Sequence, residues 1–572
     1  VLQADSDQTY TKRIAPGVVL EQRIQTSPNP LIVNAIRVDL KASGIQVRAA
    51  LGQDRVGGAD ATKGRETVST LAARHRALAA VNADFFPWTG DPLGIHITGG
   101  ELVSDPDPAR AAVGITRDGR ILFDIVSFEG VTQVDGQTLA LAGINRARSN
   151  SGLILYTPFY GPSTLTGNQG TEAILRMETP GFKIGQTLFG QVVEVKAAQG
   201  DTPIPADGCV LSAQGAPAAA LAALKPGDKV NLRLTLKPSR QSWAEVMEAV
   251  SGGPWLVRDG QIYIDGKEEN MPPSFIDTRH PRTAVGVNAS GELLLVTVDG
   301  RQGISAGASL PELARRMKDL GAVNAINLDG GGSTTAVVRG WVVNSPSGGK
   351  ERPVANALLV LGPETSSPTG TLTIIPSQAT ARSGERVTFS AGVQATAQNA
   401  AITPPPDLIW GTAGGIGFVD QGGNFIGIKS GQGQVTAFSP SGLGQAQVTV
   451  IPGSPDKMAA RWAPDAYTIP NVSTVTATVT DANGNPVPDQ PVRFLPAGGI
   501  TDARPVMTDA KGEATATITW DGPPEERSVE ITAPGLKSVL LKYTPPAKPA
   551  PKRTSRRNLP SGSRISVAGI PR

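Results

Sequence analysis

Residues 292–335 read ELLLVTVDGRQGISAGASLPELARRMKDLGAVNAINLDGGGSTT, and the fold of the longest domain turns on how this stretch is parsed. Glu292–Asp299 is a run of strand formers. Ser309 suits a helix N-cap, Glu312 completes a capping box, Leu313, Met317 and Leu320 make an apolar stripe, and Gly321 stops the helix. Ala325–Leu328 is a second strand. This β-α-β order predicts Asp299 and Asp329 at the C-terminal ends of two neighbouring strands, where ligand sites commonly form. Three glycines and Ser333-Thr334-Thr335 follow Asp329. They give up side-chain packing and helix propensity together, at about 1 kcal/mol per residue in regular structure, and leave backbone free to approach an anion or a sugar. A plain tight turn fits the composition equally well, and no Gly-Lys-Ser/Thr follows to make a phosphate-binding P-loop.

Around this stretch the chain has 572 residues, enough for about three domains. With 66 glycines and 47 prolines it favours short strands joined by turns. A further helix is predicted near Glu66–Ala79, with Val68, Leu71, Ala72 and His75 on one face, His75 as a core-packed residue. We expect a domain of many strands and few helices over 1–363, a linker at 364–370, and a β-sandwich over 371–452. A second β-sandwich follows over 456–545, then a basic Pro-rich tail over 546–572. In the second sandwich, Asp481-Ala482-Asn483-Gly484-Asn485 is a strong turn signal.

Charge and cysteine content exclude several classes. Lysine and arginine total 53 against 50 acidic residues, and seven of the basic residues fall after Ala547 with no acidic one. The remainder therefore has 46 basic against 50 acidic residues, which removes support for a nucleic-acid partner. Cys209 is alone, so no internal disulfide or cysteine-rich metal site forms within the chain, and it reads as a buried small hydrophobe. No apolar run approaches the roughly 20 residues of a transmembrane helix. Together with a start at Val1 in place of methionine, this leads us to expect a mature secreted, extracellular or cell-surface protein. The strand-like alternation Ser563–Ile570 is expected to open a further domain.

Several polar segments surround the glycine loop in sequence. They are VNADFF (81–86), SGGPWLV (251–257), HPRTAVG (280–286), TVDGRQGISAG (297–307), AINLDGGGSTT (325–335) and ERPVANALLV (351–360). In this order they resemble the phosphodiester glycosidase family, over roughly residues 15–362. The run TVTATVTDANGNPVPDQPVRF (474–494) with TDAKGEATATITW (508–520) resembles bacterial immunoglobulin-like domains, a pattern informative about fold and nearly silent about function. The first resemblance implies an α+β catalytic domain of mixed sheets hydrolysing a sugar 1-phosphodiester of the α-N-acetylglucosamine-1-phosphodiester kind, with cell-wall or capsular glycopolymers as candidate substrates. The second implies immunoglobulin-like sandwiches, with the module over 371–452 a looser relative of the class.

The residues suit that chemistry. A phosphate leaving group is a weak base, so the site needs cations for the phosphate and a carboxylate for the oxocarbenium-like centre or the water. Candidate catalytic residues are Asp329, Asp299, Arg282 and Asp84. Candidate substrate-binding residues are Asn82, His96, Gly252, Gly253, His280, Arg301, Asn327, Gly330, Gly331, Gly332, Ser333, Thr334, Glu351 and Arg352. Competing readings stay open: Arg282 as a buried partner of Asp299 or Asp329, Asn82 as a turn cap, Phe85 and Phe86 as core. Two carboxylates at strand ends also suit a divalent cation (Ca or Mg) with oxygen ligands, although no segment has recognisable metal-ligand spacing. The sandwich modules and basic tail suit a cell-wall polymer partner. A non-catalytic carbohydrate-binding protein and a phosphodiesterase cutting P–O are the alternative functions.

Overall fold

The strand Leu293–Val298 is buried along its whole length because it is covered on both faces. Leu294, Val296 and Val298 pack under Leu313, Ala314 and Met317 of the helix Leu310–Asp319, while Leu293 and Leu295 face the main core with Val285 and Ile326. The helix begins as its sequence predicts: the Ser309 side chain accepts from the Glu312 amide, and the Glu312 carboxylate accepts from the Ser309 amide. A computed structural model describes residues 7–107, 109–134, 136–363, 370–393, 404–463, 471–523 and 527–543. The expected linker, but for Gly370, and the expected basic tail with its strand-like end lie outside the described residues.

These elements belong to an eight-stranded sheet whose centre runs Leu31–Val38, Leu293–Val298, Arg282–Asn288, Ala322–Asn327, Trp255–Arg258. Here the structure corrects the β-α-β expectation. Leu293–Val298 and Ala322–Asn327 are not neighbours; Arg282–Asn288 lies between them and pairs antiparallel with both. The TAVGV run fills the slot because it can be buried on both sides, and Gly286 leaves room for Met317 of the covering helix.

A five-stranded sheet contains Gln46–Leu51, Asn356–Leu361, Ala79–Asn82 and Ala336–Val338, covered by the helix Val68–Arg74. That helix starts at Thr67 and stops at His75, shorter than the periodicity predicts. A twelve-stranded sheet, including the long strands Ile121–Val134 and Lys229–Pro238, encloses a second core. Among the described residues there are four α-helices, so the first domain is α+β with few helices and sheets of mixed size.

Two β-sandwiches follow. The first packs Phe389, Trp410, Phe425, Val435 and Val448 between its sheets. The second consists of two four-stranded sheets around Val475, Val492, Phe494, Ile518 and Trp520. By internal contacts the chain forms two units, Val1–Gly453 with Ala482–Asn485, and Ser454–Asp481 with Pro486–Arg572. The first sandwich therefore belongs to the same unit as the α+β domain. Ile32 packs with Phe418 and Ile428, Ile409 joins the main core, and the Gln421 amide donates to Gln22 Oε1 at 2.9 Å.

Candidate active site

Asp84 and Asp329 leave different sheets and meet. Asp84 follows the strand Ala79–Asn82, Asp329 follows Ala322–Asn327, and the Asp329 amide donates to the Ala83 carbonyl at 2.8 Å. Asn82 fixes the junction: its Nδ2 donates to the Asp329 carbonyl at 2.6 Å, and its Oδ1 accepts from Thr283 Oγ1 at 2.7 Å and the Thr335 amide at 3.1 Å. A carboxamide at the end of a short buried strand thus ties three segments together. Asn327 does similar work on the other side, donating to the Gly253 carbonyl at 2.9 Å, while the Gly253 amide donates to the Asn327 carbonyl at 2.7 Å. Gly252 is bare because any Cβ would overlap that same Asn327 carbonyl.

The two carboxylates have different surroundings. Asp84 is buried, with Oδ1 accepting from the Phe85 amide at 2.7 Å and Oδ2 from the Gly94 amide at 2.9 Å. Burial pushes its carboxyl up to about 7, with the charge of Asp329 adding to the rise and Gly94, Arg110 and Phe85 opposing it. Asp329 is half-buried, and burial pushes it up to about 6 against the pull of Ser333 and Arg352. Burial thus holds both carboxyls well above the ordinary carboxylate range, Asp84 the higher of the two.

Cations ring the loop after Asp329. Gly331 has φ +61, and its missing side chain lets the Arg301 guanidinium approach; Gly332 likewise admits Arg352. Both arginines are exposed. Arg301 holds its own backbone in the left-handed region, φ 60, a sparsely occupied conformation for a residue with a Cβ. Its Nη2 donates to His280 Nδ1 at 3.1 Å, so His280 orients the guanidinium; burial and the flanking arginines lower the His280 pKa. Gly330 lies against the Pro281 carbonyl, which accepts from the Gly331 amide at 2.8 Å. Arg352 Nη1 approaches Ser333 Oγ at 3.5 Å, and Ser333 and Thr334 are buried beneath the loop.

Other predicted residues sit elsewhere. Asp299 is buried with its carboxylate turned to the 344–345 loop, accepting from Asn344 Nδ2 at 2.8 Å and the Ser345 amide at 2.9 Å. Arg282 is buried and reaches backbone carbonyls: Nε donates to Ala308 at 2.9 Å, and Nη2 to Phe275 and Thr278 at 2.8 Å, with its guanidinium over the Phe275 ring. Neither an Asp299 nor an Asp329 pairing forms there. His96 is buried within a strand, its Nδ1 3.1 Å from Asn356 Nδ2, and Asn356 Oδ1 accepts from the Asp84 amide at 2.8 Å. Burial lowers His96 to about 3, so it is neutral. The Glu351 carboxylate accepts from the amide and hydroxyl of Ser69 at the start of the helix Val68–Arg74. His75 caps the other end of that helix, half-buried near Asp54 rather than within the core. Cys209 is buried in a strand, where burial raises its thiol pKa.

Arg110 was not among the residues predicted from sequence. Its guanidinium stacks over Phe85 at 5.0 Å, pairs with Asp107, and lowers the pKa of both Asp84 and Asp329. Its Nη1 is buried without a hydrogen-bond partner among the described residues. The surrounding DPARAAVG carries no local signal; only the fold brings Arg110 here. Glu269 was also missed: it is buried, accepts from the Ala111 and Trp255 amides, and closes the floor behind Gly253. Among the described residues no cluster of three or more His, Cys, Asp or Glu has metal-site geometry.

Two buried or half-buried carboxylates, a glycine loop and three arginines thus lie together, and the profile of a known family fits residues 184–361. The chain carries a phosphodiester glycosidase domain. This domain's matched span contains Asp299, Arg301, Asp329 and Arg352, while Asn82, Asp84 and Arg110 precede it. Residues 471–538 match the bacterial Ig-like domain (group 1) family. The N-acetylglucosamine-1-phosphodiester alpha-N-acetylglucosaminidase of Mus musculus is 38% identical over 110 residues, 18% of this chain and 21% of that protein. An SPbeta prophage-derived uncharacterized protein of Bacillus subtilis is 34% identical over 112 residues, 20% of this chain and 17% of its own length. The matched region thus spans about a fifth of these curated relatives. A hypothetical protein from Synechocystis is similar in fold over 63% of this chain and 65% of that one, with TM-score 0.53 and 26% identity.

Proposed function

We propose that the phosphodiester glycosidase domain hydrolyses the glycosidic bond of a sugar 1-phosphodiester. The observation that carries the reading is the junction of Asp84 and Asp329 within reach of Arg110, Arg301 and Arg352. The arginines hold the phosphate, whose charge they match in bidentate fashion. Asp329, the less buried of the two, acts at the anomeric carbon, and Asp84, whose carboxyl is raised further, keeps its proton. Overall, water adds its oxygen to C1, the C1–O bond breaks, its electron pair leaves with the phosphate monoester, and the water proton passes to a carboxylate. No strong acid is needed, because the leaving phosphate is a weak base. An α-N-acetylglucosamine-1-phosphodiester is the substrate we favour, since a relative carries that activity in its name. Cell-wall or capsular glycopolymers are the setting we infer, with the protein acting outside the cell; the Ig-like module supports that location.

Release of free N-acetylglucosamine from an α-GlcNAc-1-phosphodiester tests the reading. The parent chain should release it, and Asp329→Ala should lose about a thousandfold or more in kcat. In ¹⁸O water the label should enter the sugar. Label in the phosphate would establish P–O cleavage instead, and binding without any turnover would establish a carbohydrate-binding protein.

A further inference from the structure

A cleft of about 850 Å³ opens on the far side of Arg301, which lines it. One wall belongs to the phosphodiester glycosidase domain and includes Arg301, Trp341 and Lys350; the other belongs to the first sandwich and includes Gly414, Gly415 and Lys429. We propose that this cleft is an extended subsite for an anionic glycosyl-phosphate chain, receiving the part of the substrate beyond the bond to be cleaved. The proposal rests on the hydrolase reading above for the position of that bond.

Four observations carry it. The cleft adjoins the site through Arg301, which lines it while its guanidinium also lies against Gly331. Its volume lies in the range of small-molecule sites, about 300–1,000 Å³. Its charge is complementary to phosphate: Arg301, Lys350 and Lys429 line it, and the carboxylate among its lining residues, Glu351, already accepts hydrogen bonds from Ser69. Trp341 adds an aromatic side chain to the lining, a surface for a sugar ring.

The cleft is also a fixed feature of the unit. Gly415 comes so near the Gly349 carbonyl that any Cβ would overlap it, so the two walls meet backbone to backbone there. The apolar contact of Ile32 with Phe418 and Ile428 holds the two walls together. A sandwich that contributes a wall in this way acts as part of the substrate site and not as a spacer.

The test compares two probes: an α-GlcNAc-1-phosphodiester with a methyl aglycone, and one whose aglycone continues through two further phosphodiester-linked sugars. Turnover is measured in the parent full chain and in Lys429→Glu and Lys350→Glu. Binding is measured by calorimetry in Asp329→Asn with and without Lys429→Glu. Reversing one cleft charge should weaken the long probe about tenfold or more in KM and in Kd, and leave the methyl probe unchanged. Equal effects on both probes, or none on either, would overturn the subsite while leaving hydrolysis intact. Lys429-dependent binding of the long probe with no turnover of either would uphold the subsite and remove the hydrolase reading. Inorganic polyphosphate bound as tightly as the long probe would overturn the glycan assignment.

Discussion

Arg282 and Arg301 read alike in the sequence, each beside a turn in a polar segment, and their neighbours assign them opposite work. Arg282 supports the 275–278 and 308 backbone from inside, so removing it takes the donor from the buried Ala308 carbonyl and from the carbonyls of Phe275 and Thr278 nearer the surface. Arg282→Met should therefore destabilise the domain by about 3 kcal/mol or more, read as a shift in urea midpoint. Arg301→Ala should leave that midpoint in place and raise KM for a phosphodiester by about tenfold to a hundredfold. A stable Arg282→Met with a raised KM would reverse the assignment. The pH profile is fixed by the acid pair. Activity needs Asp329 ionised, hence pH above about 6, and Asp84 protonated, hence pH below about 7. kcat/KM should be bell-shaped with its maximum between those values, and Asp84→Asn should abolish the alkaline limb. A profile flat from pH 5 to 9 would detach the pair from the chemistry. Asp329 is visible in the sequence because three glycines after an aspartate have no packing role. Arg110 is invisible because its relation to Asp84 exists only after two strands and a loop have come together.

At the scale of elements, the glycine loop is three different constraints in a row. A Cβ at Gly330 meets the Pro281 carbonyl at 2.6 Å, backbone that cannot yield, whereas a Cβ at Gly332 meets the guanidinium of Arg352, which can swing away. Gly330→Ala should thus lower stability by about 1–3 kcal/mol. Gly332→Ala should melt like the parent but displace Arg352 and raise KM about tenfold, with the two effects separated by a thermal melt and a Michaelis curve. Comparable melting losses in both would mean that the loop is purely structural. The helix Leu310–Asp319 was legible down to its capping box, because capping is a local hydrogen-bond exchange written in Ser309 and Glu312. The strand order was not. Insertion of Arg282–Asn288 between the two strands flanking that helix depends on pairings between segments far apart in sequence, and periodicity along one strand says nothing about its neighbour.

At the scale of the molecule, the change in texture after residue 363 marks a new fold but not a new unit. The sequence there reads as alternating strands with their own apolar face, which is correct for the sandwich core around Trp410 and Phe425. What it hides is a second apolar set, Ile409, Phe418 and Ile428, that completes the core of the preceding domain. Each such side chain contributes about 1.5–3 kcal/mol when buried, so their loss together amounts to much of the roughly 5–15 kcal/mol by which domains are stable. Ending the chain at residue 363 would uncover Ile32 and leave the buried Gln22 without its partner amide. That fragment should aggregate or melt well below the parent. A chain ending at Gly453 keeps every one of those contacts and should melt within a few degrees of the parent's first unit, with the methyl-aglycone activity retained. Differential scanning calorimetry of the two truncations decides between them, and a stable, cooperative fragment ending at 363 would show that the first sandwich is an appendage after all.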